Sequence, residues 1–430
     1  MQTTTSLDTI TYKSDQAFAK EMDEKDPLRK YRDQFHFPKN EKGKYLLYFC
    51  GNSLGLQPKT VRTYIEQELK DWERLGVEGH FQAKNPWMPY HEFLTEQMSR
   101  VVGGKPIEVV VMNTLTLNLH LMMVSFYRPT KTKYKIVIEG GAFPSDQYAV
   151  KSQLNFHGID VQKGLIELVP RKGEDTLRTE DIEALIEKEG DSIALIMLGG
   201  VNYYTGQLYD MKRITAAGHK AGSIVGFDLA HAAGNVNLQL HDWDVDFAVW
   251  CGYKYLNSGP GGIAGCFVHE RHATNKELPR FAGWWGHDKK TRFLMGPEFV
   301  PISGAEGWQL SNSPVLAMAS LRASLAIFDE AGMQQLTTKS RLLTGYLEYL
   351  IQETKNTNIN IITPKDPTQR GAQLSIRIKN SDKSFFNRLV ESGVICDWRE
   401  PDVIRLAPAP LYNSFQDVFQ FVELLKKQLS

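Results

Sequence analysis

The sequence predicts an α/β protein. Its large domain is a mostly parallel sheet with helices on both faces, followed by a smaller C-terminal α+β domain. Three observations carry that prediction. Short apolar runs alternate with helical patterns from Tyr45 to about Gly286. Two of those runs deliver a charged residue at or just beyond their C-terminal ends, where open α/β sheets bind ligands. Beyond residue 358 the rhythm changes to strand, strand, helix, strand, helix.

The elements follow in order. Residues 1–45 are charged and polar and read as an N-terminal arm, with a helical stretch over 14–23. Apolar runs at 109–112, 135–138, 192–198, 223–227 and 247–250 are short enough for buried strands. Helical patterns at 179–188 and 211–221 lie between them. Residues 287–312 are loop-rich, with Gly296-Pro297 and Ser303-Gly304. A long helix pattern starts near Pro314 and runs through Leu316, Leu321, Leu325 and Phe328. The last elements are expected at 359–362, 372–378, 383–392, 403–407 and 414–429. The resulting division is an arm (1–45), a large domain (46–312) and a small domain (313–430). No internal repeat or low-complexity tract is present.

Composition narrows the function. The 430 residues hold 50 Lys plus Arg against 50 Asp plus Glu. With no net charge, there is no basic field to hold nucleic acid or an anionic membrane. No apolar run is long enough to span a bilayer. Residues 1–10 lack the basic and apolar segments of a signal peptide. Cys50, Cys251, Cys266 and Cys396 are scattered, without Cys-x-x-Cys spacing. Reduced thiols in a cytoplasmic protein are the expectation.

Chemistry concentrates in two segments. Asp228 and His231 sit in Phe227-Asp228-Leu229-Ala230-His231, directly after an apolar run. Lys254 sits in Gly252-Tyr253-Lys254-Tyr255, shortly after the next run. Alone, Lys254 would read as a surface lysine and Asp228 as a helix cap. Together they offer an amine for an aldehyde and a carboxylate for a pyridine nitrogen, which is what pyridoxal 5′-phosphate needs. A carboxylate keeps that nitrogen protonated, making the ring an electron sink. Other motifs are incomplete. His269-Glu270-Arg271-His272 is one residue short of the His-Glu-x-x-His zinc spacing, and Gly103-Gly104-Lys105-Pro106 lacks the Ser/Thr of a phosphate loop. The segment 241–246 reads as a solvated turn before a strand.

Several segments together resemble the kynureninase family, pyridoxal phosphate enzymes of the aspartate aminotransferase fold type (fold type I). They are Tyr48 to Pro58, Met112 to Thr116, Phe143-Pro144-Ser145-Asp146, the Asp228 and Lys254 blocks, Gly283 to His287, and Ile404 to Pro408. The resemblance spans nearly the whole chain. It implies hydrolysis of L-kynurenine or 3-hydroxy-L-kynurenine to an anthranilate and L-alanine, in tryptophan breakdown or NAD synthesis. Leu115 and Thr116 resemble the phosphate-binding turn, and a helix N-terminus there suits an anion. Phe143 resembles the ring stacked on the cofactor, in a segment continued by Pro144 and Ser145 to Asp146, which resembles a residue near that ring. Asp228 resembles the pyridinium partner and His231 a further cofactor contact. Lys254 resembles the catalytic lysine. Tyr253 resembles a phosphate-binding tyrosine also placed for proton transfer. Trp284 and Asn312 resemble phosphate contacts from a neighbouring subunit, which implies a homodimer with shared active sites. Arg405 resembles the clamp on the substrate carboxylate, where a planar guanidinium fits two parallel hydrogen bonds. Ser53 resembles a substrate-pocket residue. His80 and Asn312 match the form of the family that favours the 3-hydroxylated substrate. Gly199 departs, standing where some relatives carry serine against the cofactor. The alternatives are another enzyme of this fold, such as a cysteine desulfurase using a mobile loop cysteine or an aminotransferase, and a non-catalytic cofactor-binding regulator.

Overall fold

The computed structural model describes residues 10–379 and 381–429, so the first nine residues of the expected arm lie outside it. Seven strands form the main sheet. They are β1 (Val109–Val111), β2 (Lys135–Glu139), β3 (Leu165–Leu168), β4 (Ile193–Gly199), β5 (Ile224–Asp228), β6 (Phe247–Trp250) and β7 (Gly265–Val268). Their order is β1-β7-β6-β5-β4-β2-β3. The pairs from β3 through to β6 are parallel. Only β7 runs against its neighbours, β6 and β1. The other strands therefore end at one common edge, and that edge carries the chemistry.

The expected runs fall close to the observed strands. The run at 192–198 begins one residue late, because Gly190–Ser192 forms a 3-10 turn, and it extends to Gly199. Both faces of the sheet are covered. Val225, Phe227, Ala248 and Trp250 join one core, with Ile196 and Leu198. Leu195, Met197, Phe247 and Val249 join the opposite one. Helix Met211–Lys220 packs on β5 and helix Leu115–Phe126 on β6, from the two sides. A strand buried on both faces has no polar side, so it reads as an unbroken apolar run.

A second sheet contains β8 (Ile359–Ile361), β9 (Leu374–Ile378), β10 (Asp397–Arg399) and β11 (Val403–Leu406). Its order is β8-β9-β11-β10, antiparallel throughout. Helices Met333–Glu353, Lys383–Glu391 and Phe415–Leu429 share its core. The helix expected at 14–23 is Gln16–Lys25 and packs on Phe415–Leu429. The Asp15 carboxylate accepts from the Phe18 N–H at 2.8 Å and starts that helix. Helix Val315–Ala331 packs against Val61–Leu75 and Glu92–Val102. It ends at Gly332, whose φ of +75° suits glycine. Leu47–Tyr48 pairs in parallel with Val394–Ile395, stitching the segment before the main sheet to the C-terminal one.

The segment 241–246 corrects one expectation. Asp246 is not solvated; it is 2% exposed. It accepts from the Val225 N–H (2.7 Å), His219 Nε2 (2.9 Å), His272 Nε2 (2.7 Å) and Arg271 Nη2 (2.5 Å). Burial pushes its carboxyl up, but the bonds from His219, His272, Val225 and Arg271 outweigh burial and hold it well below the usual range. The partners come from elements distant in sequence, so the segment alone could not disclose them. A depressed folded-state pKa stabilises above the unfolded value and is lost as pH falls through the folded one. Asp246→Ala is expected to lower stability at neutral pH by about 3 kcal/mol, since it strands buried donors. Urea midpoints check this, and an unchanged midpoint would contradict it.

Candidate active site

A cavity of about 250 Å³ opens at the C-terminal edge of the main sheet. Lys254 reaches it from the loop after β6. That loop is held from outside the sheet. The Gly55 N–H donates to the Tyr253 carbonyl at 2.9 Å. A Cβ at Gly55 would stand 2.4 Å from the Lys254 carbonyl, so only glycine lets these backbones meet. Lys254 Nζ is 3.0 Å from His231 Nε2. Burial first, then the Lys254, Arg405 and Arg399 charges, push the His231 imidazole well below its ordinary value. It is neutral at neutral pH, and its buried Nδ1 has no hydrogen-bond partner.

Asp228 ends β5, and its Oδ1 accepts from the Ala230 N–H at 2.7 Å. Asp146, in the first turn of helix Pro144–Phe156, lies beside it. Glu139, the last residue of β2, completes a cluster of three buried carboxyls. Burial raises Asp228, opposed by the Ala230 N–H, Lys254 and Asp146. Burial, and then the Asp228 charge, push Asp146 well above the carboxylate range. Burial also lifts Glu139 to about 7, against the Gly199 N–H that it accepts. Three carboxyls in one dry site resist ionising together. A cationic ring set among them would relieve that resistance.

The donor set fits pyridoxal 5′-phosphate. The amine is Lys254, and the acids for a ring nitrogen are at hand. Phe143, 42% exposed, presents its ring 5.8 Å from Lys254 Nζ. Helix Leu115–Phe126 begins at the cavity, where Thr114 makes no side-chain cap. Its first N–H groups are therefore left for an anion. Thr116, Ser145 and Tyr253 also line the cavity. Burial pushes the Tyr253 phenol above its ordinary value, so it keeps its proton at neutral pH.

Arg405 is buried on β11 beside this cavity. Nη1 donates to the Tyr203 carbonyl at 2.7 Å, and Tyr203 itself lines the cavity. Nη2 donates to Ser53 Oγ at 3.1 Å and to Asp397, which also accepts from Ser53. The Arg405 Nε is buried without a partner. The other expected residues do not line the cavity of the single chain. Pro144 is exposed at the first helical position. His80 Nδ1 is 2.9 Å from the Val77 carbonyl. Asn312 and Trp284 are exposed, with Trp284 Nε1 donating to the Arg292 carbonyl at 3.3 Å. Sequence reasoning missed Glu139, Tyr203 and Asp397. Glu139 stood at the end of an apolar run, the very signal that exposed Asp228; the other two carried none.

The comparisons with known proteins agree with this chemistry. Residues 336–425 match the family described as Kynureninase C-terminal domain. A Kynureninase of Koribacter versatilis is 64% identical over 406 residues, covering 94% of this chain and 96% of that one. The chain belongs to the kynureninase family. A Kynureninase of Myxococcus xanthus is 59% identical (96% and 97% covered), and one of Nematostella vectensis 54% (98% and 94%). The same fold occurs in solved structures. The cysteine desulfurase CsdA of Escherichia coli superposes with a TM-score of 0.75 at 18% identity, covering 94% and 98% of the two chains. The cystine C-S lyase C-DES gives 0.71 at 17% identity, covering 88% and 97%. These identities carry the fold alone. A desulfurase would need a mobile loop cysteine, but Cys396 is 7% exposed between β10 and Val394–Ile395, and burial pushes its thiol up.

Proposed function

We infer that this chain hydrolyses L-kynurenine or 3-hydroxy-L-kynurenine to anthranilate or 3-hydroxyanthranilate and L-alanine, with pyridoxal 5′-phosphate as cofactor. One observation carries the reading: Lys254 and Asp228 converge on one cavity from successive parallel strands. When bound, the cofactor supplies an aldehyde for the substrate amine and a ring that takes up the electron pair left at the α-carbon. Lys254 holds the cofactor, removes the α-proton and later returns one to the alanine carbon. Asp228 anchors the ring nitrogen, and Asp146 shares that charge. His231, neutral, accepts a hydrogen bond from the lysine amine and steadies it. Leu115, Thr116 and the Tyr253 phenol bind the phosphate, and Phe143 packs on the ring, with Pro144 and Ser145 setting its segment. The protonated Tyr253 is the candidate acid for the γ-carbonyl oxygen during hydration and carbon–carbon cleavage. Arg405 and Ser53 take the α-carboxylate, for which Arg405 must loosen its pairing with Asp397. Forming alanine and anthranilate from kynurenine tests the reading. Sulfide release from cysteine without kynurenine cleavage would overturn it.

The working unit in this reading is a homodimer with shared sites. An exposed apolar run supports it: Phe281, Trp284, Phe293, Leu294, Met295 and Val300. Trp284 and Asn312 sit in or near that run and do not line their own cavity; in this reading each completes the partner's phosphate site. His80 and Asn312 bear on the choice of the 3-hydroxylated substrate, read by comparing turnover of the two substrates. Sharing predicts complementation. Mixing Lys254→Ala with Trp284→Ala subunits should restore about a quarter of wild-type activity, from the intact site in each mixed dimer. Activity no higher than either variant alone would contradict sharing. The four cysteines are free, which supports a cytoplasmic setting. Among the described residues no helix is long and apolar enough to cross a membrane.

A further inference from the structure

Gly199 ends β4 on the cavity wall without a positive φ, so its backbone does not demand glycine. Its space does. A Cβ there would stand 2.8 Å from Glu139 Oε1, while the next atoms lie at 3.6 and 3.8 Å, ordinary contact. The Glu139 carboxyl alone claims the room. Its Oε2 accepts from the Gly199 N–H at 2.9 Å. Glu139 and Tyr203 also line a second cavity of about 300 Å³, so they form part of the wall between the two.

We propose that Glu139 is a positioning residue of the cofactor pocket, its carboxyl taking the place and the polar role of a side chain at position 199. This rests on the cavity being the cofactor's. The groups around it are Asp228 on β5, Asp146 on helix Pro144–Phe156, the phenols of Tyr203 and Tyr209, and Lys254 across the cavity. Burial, opposed by the Gly199 N–H, lifts this acid to about 7. A cationic ring entering the cluster draws the proton off. Cofactor binding is therefore linked to ionisation of Glu139, and affinity rises with pH through the neutral range. The carboxyl is the end of a flexible side chain, so a residue larger than glycine at 199 swings it away and leaves the fold intact.

Titrating pyridoxal 5′-phosphate into the full-length apoprotein, followed by absorbance and by calorimetry in buffers of different ionisation enthalpy, reads this directly. Glu139→Gln keeps the shape and removes the charge. Its affinity should rise less steeply with pH, by up to about tenfold per unit, and it should release fewer protons on binding. Gly199→Ala, whose methyl displaces the carboxyl and brings no polar group, should weaken binding about tenfold and lose the same proton release. Adding Glu139→Ala to Gly199→Ala should cost nothing more, because the carboxyl is already displaced. Wild-type slope and proton release in Glu139→Gln, or additive losses in the double variant, overturn the proposal. If wild type binds the cofactor and these tests fail, only Glu139's role falls. If wild type takes up no cofactor, the reading of the cavity falls with it.

Discussion

Lys254→Ala is expected to cut turnover by at least about 10⁴-fold, because one side chain both holds the cofactor and carries the α-proton. Its visible absorption band of lysine-bound cofactor should vanish. The fold should persist, since Lys254 is only partly buried and its loop is set by Gly55 and the backbone. One secondary effect separates lost chemistry from lost structure. The Lys254 charge helps depress the His231 imidazole, so its removal should raise that group towards its ordinary value. Steady-state alanine formation, with NMR titration of His231, checks both. Normal turnover by the pure variant would contradict the assignment.

Asp228→Asn should reduce kcat by up to about 10³-fold, because an adjacent carboxylate is worth one to three pKa units to a protonated ring nitrogen. The apoprotein should move the other way. Burial raises Asp228, opposed by the Ala230 N–H, and its charge raises Asp146 and Glu139. A carboxyl whose folded pKa is raised costs stability as pH climbs above the unfolded value. The amide variant should therefore melt higher than wild-type apoprotein at neutral pH while turning over more slowly. That is the trade expected where function places like charges together. A variant that melts lower and keeps its rate would contradict both halves.

Much of this was legible in the chain, for physical reasons that differ by residue. Asp228 and Lys254 follow apolar runs too short for buried helices, and strand ends are where such sheets bind ligands. Glu139 ends a run in the same way, but a single acid after a strand carries no ligand signal in the sequence without Asp146 and Asp228 beside it. Asp397 reaches Arg405 across adjacent strands β10 and β11, a pairing that register decides. Asp246 looked solvated because its partners His219, Arg271 and His272 come from other elements. Helix Met333–Glu353 carried no expectation; Gly332 separates it from the helix read before it. His80, Trp284 and Asn312 were recognisable only by resemblance, and none of them is among the described residues that line the cavity.

The most direct measurement is chemical. The cofactor-loaded protein is reduced with borohydride, digested and mapped by mass spectrometry. One phosphopyridoxyl group on the peptide carrying Lys254, and on no other lysine, is the predicted result. A label on a different lysine, or none on a protein that still cleaves kynurenine, would contradict the account.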